Sequence, residues 1–162
     1  MQRYMNTRYE PASDFLKAVI AEEVQLSGSA FADANMRQLI SLTQDHDLSN
    51  RDWATMLLAW EEVDTPVIRG ALLAALSDEN DVVRAEALVG LARRDRALAL
   101  PFALEALSGE QASMAVFEAA ALIADPVLAD ALRSWVEPSD NEWLDKLARE
   151  ALAACETGSS AT

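Results

Sequence analysis

The chain has 162 residues, of which 51% are apolar and only 6% aromatic, and its formal net charge is −14. This length predicts one domain, and the abundance of alanine and leucine favours helices over β-strands. The negative charge argues against binding to nucleic acid or to an anionic membrane, because both carry dense negative charge. It favours a partner with a basic surface, unless the acidity serves only to keep the protein soluble.

Cysteine usage and hydropathy point to the cytoplasm. Cys155 is the single cysteine, so the chain cannot form an internal disulfide. No run of 18 apolar residues predicts a membrane span, and the polar first ten residues lack the apolar segment of a signal peptide. We therefore expect a cytoplasmic protein.

Turn and capping signals divide the chain into helices. Residues 1–11 are predicted to form an N-terminal arm ending at Pro11. Thr65 is suited to cap a helix that begins at Pro66, and Pro101 is expected in a first turn or at a kink. The small, polar tail 156–162 is predicted to be disordered, which leaves a single domain over 1–155. The predicted helices cover residues 13–26, 30–43, 51–62, 66–76, 81–93, 97–107, 111–124, 126–136 and 141–155.

A repeat organises these helices. Glu86, Glu118 and Glu150 fall 32 residues apart, each inside an alanine- and leucine-rich helical phrase, and the phrase 53–57 takes the same slot 31 residues earlier. A period of this length is typical of stacked helix pairs, which bury their apolar faces only against neighbouring pairs.

The repeated phrases resemble a known family. Residues 80–92, Asn-Asp-Val-Val-Arg-Ala-Glu-Ala-Leu-Val-Gly-Leu-Ala, are similar to a HEAT-like repeat, in which an acidic turn precedes Val-Arg and an alanine-rich helix ends near Gly-Leu. The runs 52–54 and 64–69 resemble variants in small bacterial HEAT-repeat proteins of the PBS-lyase type. The resemblance covers about 36–135 and extends more weakly to 13–35 and 141–155.

This resemblance implies an all-α fold, a short right-handed α-solenoid of antiparallel helix pairs. It also implies that Val83 is a core residue and that Arg84 pairs with Asp78, Asp81 or Asp52. It implies no particular activity, because this scaffold hosts unrelated functions.

The chain shows no catalytic or metal-binding constellation, and we expect no cofactor, no metal site and no enzymatic activity. His46 is the only histidine, and no nucleotide-binding or hydrolase motif occurs. Cys155 lies too far along a solenoid from His46 to share a site with it. Arg93, Arg94 and Arg96 form the one basic cluster, which we interpret as a turn whose arginines cap the preceding helix.

Candidate partner-binding residues lie on the second helix of each pair, which usually lines the concave side of such solenoids. Arg37 and Arg69 occupy one slot in successive repeats and are expected to stack roughly 10 Å apart. Glu105 and Arg133 share another slot. These four polar residues are the predicted contact sites.

Three functional hypotheses remain open. The first is a non-enzymatic protein-binding scaffold with an acidic surface, for example an immunity-type inhibitor that caps a basic toxin domain. The alternative is an enzyme or enzyme subunit that holds a small ligand or a modified base in the concave groove, with a perturbed carboxylate near Glu105 or Asp130. The third is a homodimer closed through the terminal repeats.

Overall fold

The computed structural model describes residues 9–159, and this part of the chain is helical without any β-strand. The arm residues 1–8 and the tail residues 160–162 lie outside it. A 3-10 turn, Pro126–Leu128, precedes α8. The helices are α1 (Asp14–Ile20), α2 (Ala30–Leu42), α3 (Leu48–Trp60), α4 (Pro66–Ala75), α5 (Asp81–Arg94), α6 (Arg96–Leu107), α7 (Met114–Ile123), α8 (Ala129–Arg133) and α9 (Glu142–Thr157).

Alternate helices form a continuous inner row. Helix α3 packs on α5, α5 on α7 and α7 on α9. Helices α2, α4, α6 and α8 lie over this row, each against the helix that follows it in the chain, and make few contacts with one another. The same step therefore repeats from one helix pair to the next, which confirms the predicted all-α, repeat-like architecture.

Local signals explain where most of these helices begin. Thr65 accepts a hydrogen bond from the amide of Ile68, and Pro66 takes the first position of α4, where its missing N–H removes no helical bond. Asn80 caps α5 in the same way, and Asp95 caps α6. The predicted cap at Thr65 and first helical position of Pro66 are therefore confirmed.

The core follows the inner row. Helix α5 is buried along most of its length, because it has neighbours on both sides and a helix of the outer row over it. Gly90 lies where α5 crosses α3, so closely that a Cβ atom at this position would lie 2.9 Å from the Cα of Ala59. A close crossing of this kind requires a small residue on each helix.

Two helices near the N-terminus differ from the prediction. Helix α1 ends at Ile20 rather than near residue 26: Glu22 takes a left-handed conformation (φ 60°), and Val24 and Leu26 then pack on the core outside any helix. Helix α3 begins three residues earlier than expected, because Asp47, not Asn50, accepts the capping hydrogen bonds. The amide oxygen of Asn50 instead accepts from the backbone N–H of Ser13.

The C-terminal half also corrects some boundaries. Helix α7 begins at Met114 rather than 111, and the predicted helix over 126–136 is a 3-10 turn followed by the short α8. Pro101 lies in the second turn of α6, where its ring faces solvent. The last helix runs to Thr157 and ends at Gly158 (φ 65°), so the predicted tail over 156–162 begins too early.

Candidate functional site

The connections between helices alternate between two edges of the molecule. We call one of them the acidic edge: residues 43–47, 76–81, 108–113 and 134–141, which lead from the outer row back to α3, α5, α7 and α9. Arg51 joins the first two of these segments. Its Nη1 donates to the carbonyl oxygen of Asp45, and its Nε donates to Asp78 at 2.8 Å.

The acidic edge concentrates negative charge. Its four segments contain eight carboxylates and no lysine or arginine: Asp45, Asp47, Asp78, Glu79, Asp81, Glu110, Glu137 and Asp140. Arg51 and Arg84, in the following helices, are the nearby cations. Arg84 donates to the backbone carbonyl oxygens of Asp78 and Glu79 at 2.7 and 3.0 Å, rather than to a carboxylate as the resemblance implied. The edge therefore keeps a large excess of negative charge.

The opposite edge also carries carboxylates, seven in the connections 21–29, 61–65, 95 and 124–128, but four arginines lie in the helix turns beside them: Arg69, Arg93, Arg94 and Arg96. Arg69 forms ion pairs with Asp64 at 2.7 Å and with Asp95 at 3.0 Å, which ties the α3–α4 connection to the start of α6. The hydrogen bond from Arg69 lowers the pKa of Asp64. Arg93 lies over the ring of Trp60, 4.6 Å from its centroid.

Arg94 is the structural centre of this opposite edge. Its side chain is only 4% exposed, and it donates to the carbonyl oxygens of Gly90 in its own helix and of Ala59 at the end of α3. Three further carbonyl oxygens, of Leu58, Glu61 and Val63, accept from its other terminal nitrogen. Burial lowers the pKa of this guanidinium, while the nearby carboxylate of Asp64 acts in the other direction. The sequence predicted that the arginines of this turn cap the preceding helix; only Arg94 does so, through Gly90, and its other bonds go to the end of α3 and the connection after it.

The four predicted contact residues do not form one cluster of free side chains. Arg37 is exposed on α2 and makes no ion pair within residues 9–159. Arg69 is engaged as described, and Arg133 pairs with Asp130 and with Glu156. Glu105 is exposed on α6. Their role in binding stays a prediction, and a partner of Arg69 or Arg133 has to displace carboxylates that already bind these side chains.

A groove of about 420 Å³ opens at the acidic edge beside Glu105. It lies between the start of α5, the second half of α6 and the loop that leads to α7. Glu105 and Asp81 are exposed at its rim. Its apolar wall residues include Leu76, Val82, Leu88, Phe102, Ala106 and Val116, and the polar Arg84, Gln111 and Ser113 complete the lining.

Cys155 and His46 both lie apart from this groove. Cys155 is fully buried in α9, where burial raises the pKa of its thiol to about 11 and its Sγ lies 3.5 Å from the carbonyl oxygen of Ala120. A thiol that is buried and protonated at neutral pH is a packing residue. His46 is exposed in the connection before α3. Across residues 9–159, no three histidine, cysteine or acidic side chains lie close enough together to share a metal ion.

Sequence reasoning missed one polar pair, in which an exposed tyrosine binds a buried carboxylate. The hydroxyl of Tyr9 donates to Asp52 at 2.8 Å, and its ring stacks on Trp53 with centroids 6.3 Å apart. Burial raises the pKa of Asp52, and the bond from Tyr9 acts against this rise. The separation of 43 residues along the chain leaves no local signal for the contact. A groove near Glu105 was expected only under the enzyme alternative, and the one local sign of its apolar lining is Phe102, a large aromatic residue on an alanine-rich helix.

Comparisons with known proteins support the architecture. No protein-family model matches the chain, and no curated protein matches it. The X-ray structure of YibA from Escherichia coli, a HEAT-repeat-like protein, is similar, with a TM-score of 0.60 and 23% sequence identity. The likeness covers 85% of this chain and 54% of YibA, so the chain spans about half the length of that protein. Within residues 9–159, no helix combines the length and apolar character needed to cross a bilayer. What the likeness to YibA establishes for this chain is a helical-repeat fold.

Proposed function

We propose that the chain is a small HEAT-like repeat protein of the cytoplasm that binds a basic protein through its acidic edge. The observation that carries the proposal is the uneven distribution of charge between the two edges. The connections of the acidic edge hold eight carboxylates with Arg51 and Arg84 beside them, whereas those of the other edge hold seven carboxylates with Arg69, Arg93, Arg94 and Arg96 beside them.

This distribution argues against acidity that serves solubility alone. Solubility depends on net charge and is satisfied by carboxylates spread over the whole surface. Charge gathered on one edge produces a directional field, which speeds encounter with a complementary surface and disfavours other orientations. The same field repels nucleic acid, so the partner is a protein with a basic face.

An inhibitor that caps a basic toxin domain is one concrete form of this function. A capping protein needs no catalytic group, and its rigid edge can occupy a cationic active-site cleft. The rigidity of the acidic edge follows from Arg51 and Arg84, which tie its connections to the helices. A toxin gene next to the gene for this chain is the expected genomic context.

A matched pair of charge variants tests the proposal. The edge variant carries Glu110→Gln, Glu137→Gln and Glu142→Gln; all three residues are exposed at or next to the acidic edge. The control carries Glu22→Gln, Glu23→Gln and Glu62→Gln, which are exposed elsewhere. Both variants change the net charge by the same amount, so simple ion exchange affects them equally.

The measurement is affinity capture from the native lysate with quantitative mass spectrometry. We expect a basic protein to be retained by the wild type and by the control, and to be lost from the edge variant. Equal retention by both variants would show that the edge is not the binding surface.

A further inference from the structure

We propose that the groove beside Glu105 receives a bulky apolar side chain of the basic partner, with lysine or arginine residues flanking it. This inference rests on the proposed function and adds the anchor that fixes the partner's position on the acidic edge.

The shape of the groove supports an apolar anchor. Leu88 and Val116 are buried at its base, and Phe102 and Leu76 are half-buried along its sides. Val82 leaves 38% of its surface exposed at the opening. A leucine, methionine or phenylalanine side chain placed here removes apolar surface from water on both molecules, and anchors of this kind carry most of the affinity in protein interfaces.

The charges at the rim select what flanks the anchor. Asp81 on α5 and Glu105 on α6 are exposed and make no ion pair within residues 9–159. The one cation at the rim, Arg84, already donates to two backbone carbonyl oxygens. Cations on either side of the anchor therefore meet carboxylates that have no other ion-pair partner, whereas acidic flanks meet repulsion.

The walls do not suit a small polar ligand. Sites for metabolites place several convergent polar groups around a largely enclosed ligand to fix its orientation. Here, apart from Arg84, the buried and half-buried wall residues are alanine, leucine, valine and phenylalanine, and the other polar groups, Gln111 and Ser113 among them, are exposed at the opening. A side chain supplied by a larger basic surface fits this arrangement better.

Three synthetic peptides provide the probe. The first has a central leucine with two lysines on each side, the second has alanine at the centre, and the third keeps the leucine but has glutamates as flanks. Binding is measured by titration while the backbone amide signals of isotopically labelled protein are followed by NMR. We expect the lysine-flanked leucine peptide to bind more tightly than the alanine peptide by up to about fiftyfold, since three buried carbons are lost. Its shifts are expected near Val82, Phe102 and Glu105.

Two variants on α6 form a matched pair. Ala106→Trp fills the groove, and Ala97→Trp places the same side chain on an exposed site at the other end of the helix. We expect Ala106→Trp to abolish the preference for leucine and Ala97→Trp to keep it. Glu105→Gln is a surface change that leaves folding intact, and it is expected to weaken both lysine peptides by up to about fivefold.

The outcomes separate this inference from the proposed function. Equal binding of the leucine and alanine peptides would refute the anchor groove, while salt-sensitive binding of both at the acidic edge would leave the proposed function in place. Tight binding of the glutamate-flanked peptide would also overturn the inference, because the groove would then be an apolar pocket without preference for a basic partner. Conversely, a leucine-selective groove combined with equal capture by the two charge variants would retain the groove and reject the proposed function.

Discussion

Substituting two glycines by alanine should change stability in opposite directions. Gly70 and Gly90 both lie inside helices, where alanine normally stabilises by roughly 1 kcal/mol because it loses less backbone entropy. No atom lies within 4 Å of a Cβ built at Gly70, so Gly70→Ala should raise stability by about that amount. At Gly90 a Cβ meets the Cα and Cβ of Ala59 and the Cδ2 of Leu72, all at 2.9 Å.

The clash at Gly90 outweighs the gain in helix propensity. Overpacking a dense core costs about 1–3 kcal/mol, and the upper part of this range applies because the nearest atom is backbone that cannot rotate away. Subtracting the gain of roughly 1 kcal/mol leaves a net loss of about 2 kcal/mol for Gly90→Ala. For a chain of this size, we expect its melting temperature to fall by about 4–8 °C and that of Gly70→Ala to rise by about 2–4 °C.

Urea denaturation followed by circular dichroism measures both free energies of unfolding. The two variants should differ by about 3 kcal/mol, although the chemical change is identical. If Gly90→Ala is as stable as the wild type, α3 and α5 are not packed as closely as described, and the layered arrangement of the inner row loses its main support.

Three further predictions concern buried polar contacts. Arg94→Ala should lower the free energy of unfolding by about 3–5 kcal/mol in urea denaturation, because five carbonyl oxygens lose a charged donor. The neighbouring Arg93→Ala should lower it by about 1 kcal/mol or less, and equal losses would contradict the assigned network. Hydrogen bonds from Ser139 lower the pKa of Asp145 from its ordinary value of 3.8. The carboxylate therefore stabilises the fold above pH 3.8, and this contribution is lost as the pH falls through the lowered pKa. Asp145→Asn should flatten the acid limb of a stability–pH profile, and an unchanged limb would refute this role. Tyr9→Phe should lower the free energy of unfolding by about 1 kcal/mol and raise the pKa of Asp52 further. Carboxylate NMR titration measures this pKa, and an unchanged value would show that the hydroxyl does not bind that carboxylate.

The sequence predicted those features that depend on neighbouring residues. Thr65 and Pro66 mark the start of α4 because capping and the missing N–H act within one turn, and the 32-residue period predicted the layering because each repeat buries the same face. Capping residues do not locate the start of a helix where two of them lie close together in the sequence. Asp47 and Asn50 are both good caps, and only the contact of Asn50 with Ser13 shows which residue begins α3.

The candidate site was less predictable because it depends on contacts between repeats. Arg69 is polar, regularly spaced and dispensable for the apolar core, which made it a candidate for partner contact. In the structure its guanidinium lies between Asp64 and Asp95, which come from two different connections. Spacing along one helix gives the face on which a side chain lies. It does not show which residues of other connections contact that side chain, such as Asp95, which lies 26 residues further along the chain.

Charge localisation in this fold follows from chain order. In stacked helix pairs every second connection returns to the same edge, so a bias in alternate connections becomes a continuous surface. The segments 43–47, 76–81, 108–113 and 134–141 contain carboxylates and no cations, while arginines flank the connections between them. The total of −14 therefore does not fix the direction of the field, because the same arginines placed beside the connections of the acidic edge would make the opposite edge the more negative one. Exchanging Glu110 with a neutral residue of the opposite edge leaves net charge and composition unchanged but should weaken partner capture. Retention of the partner at the wild-type level would show that the position of the charge on the acidic edge does not matter.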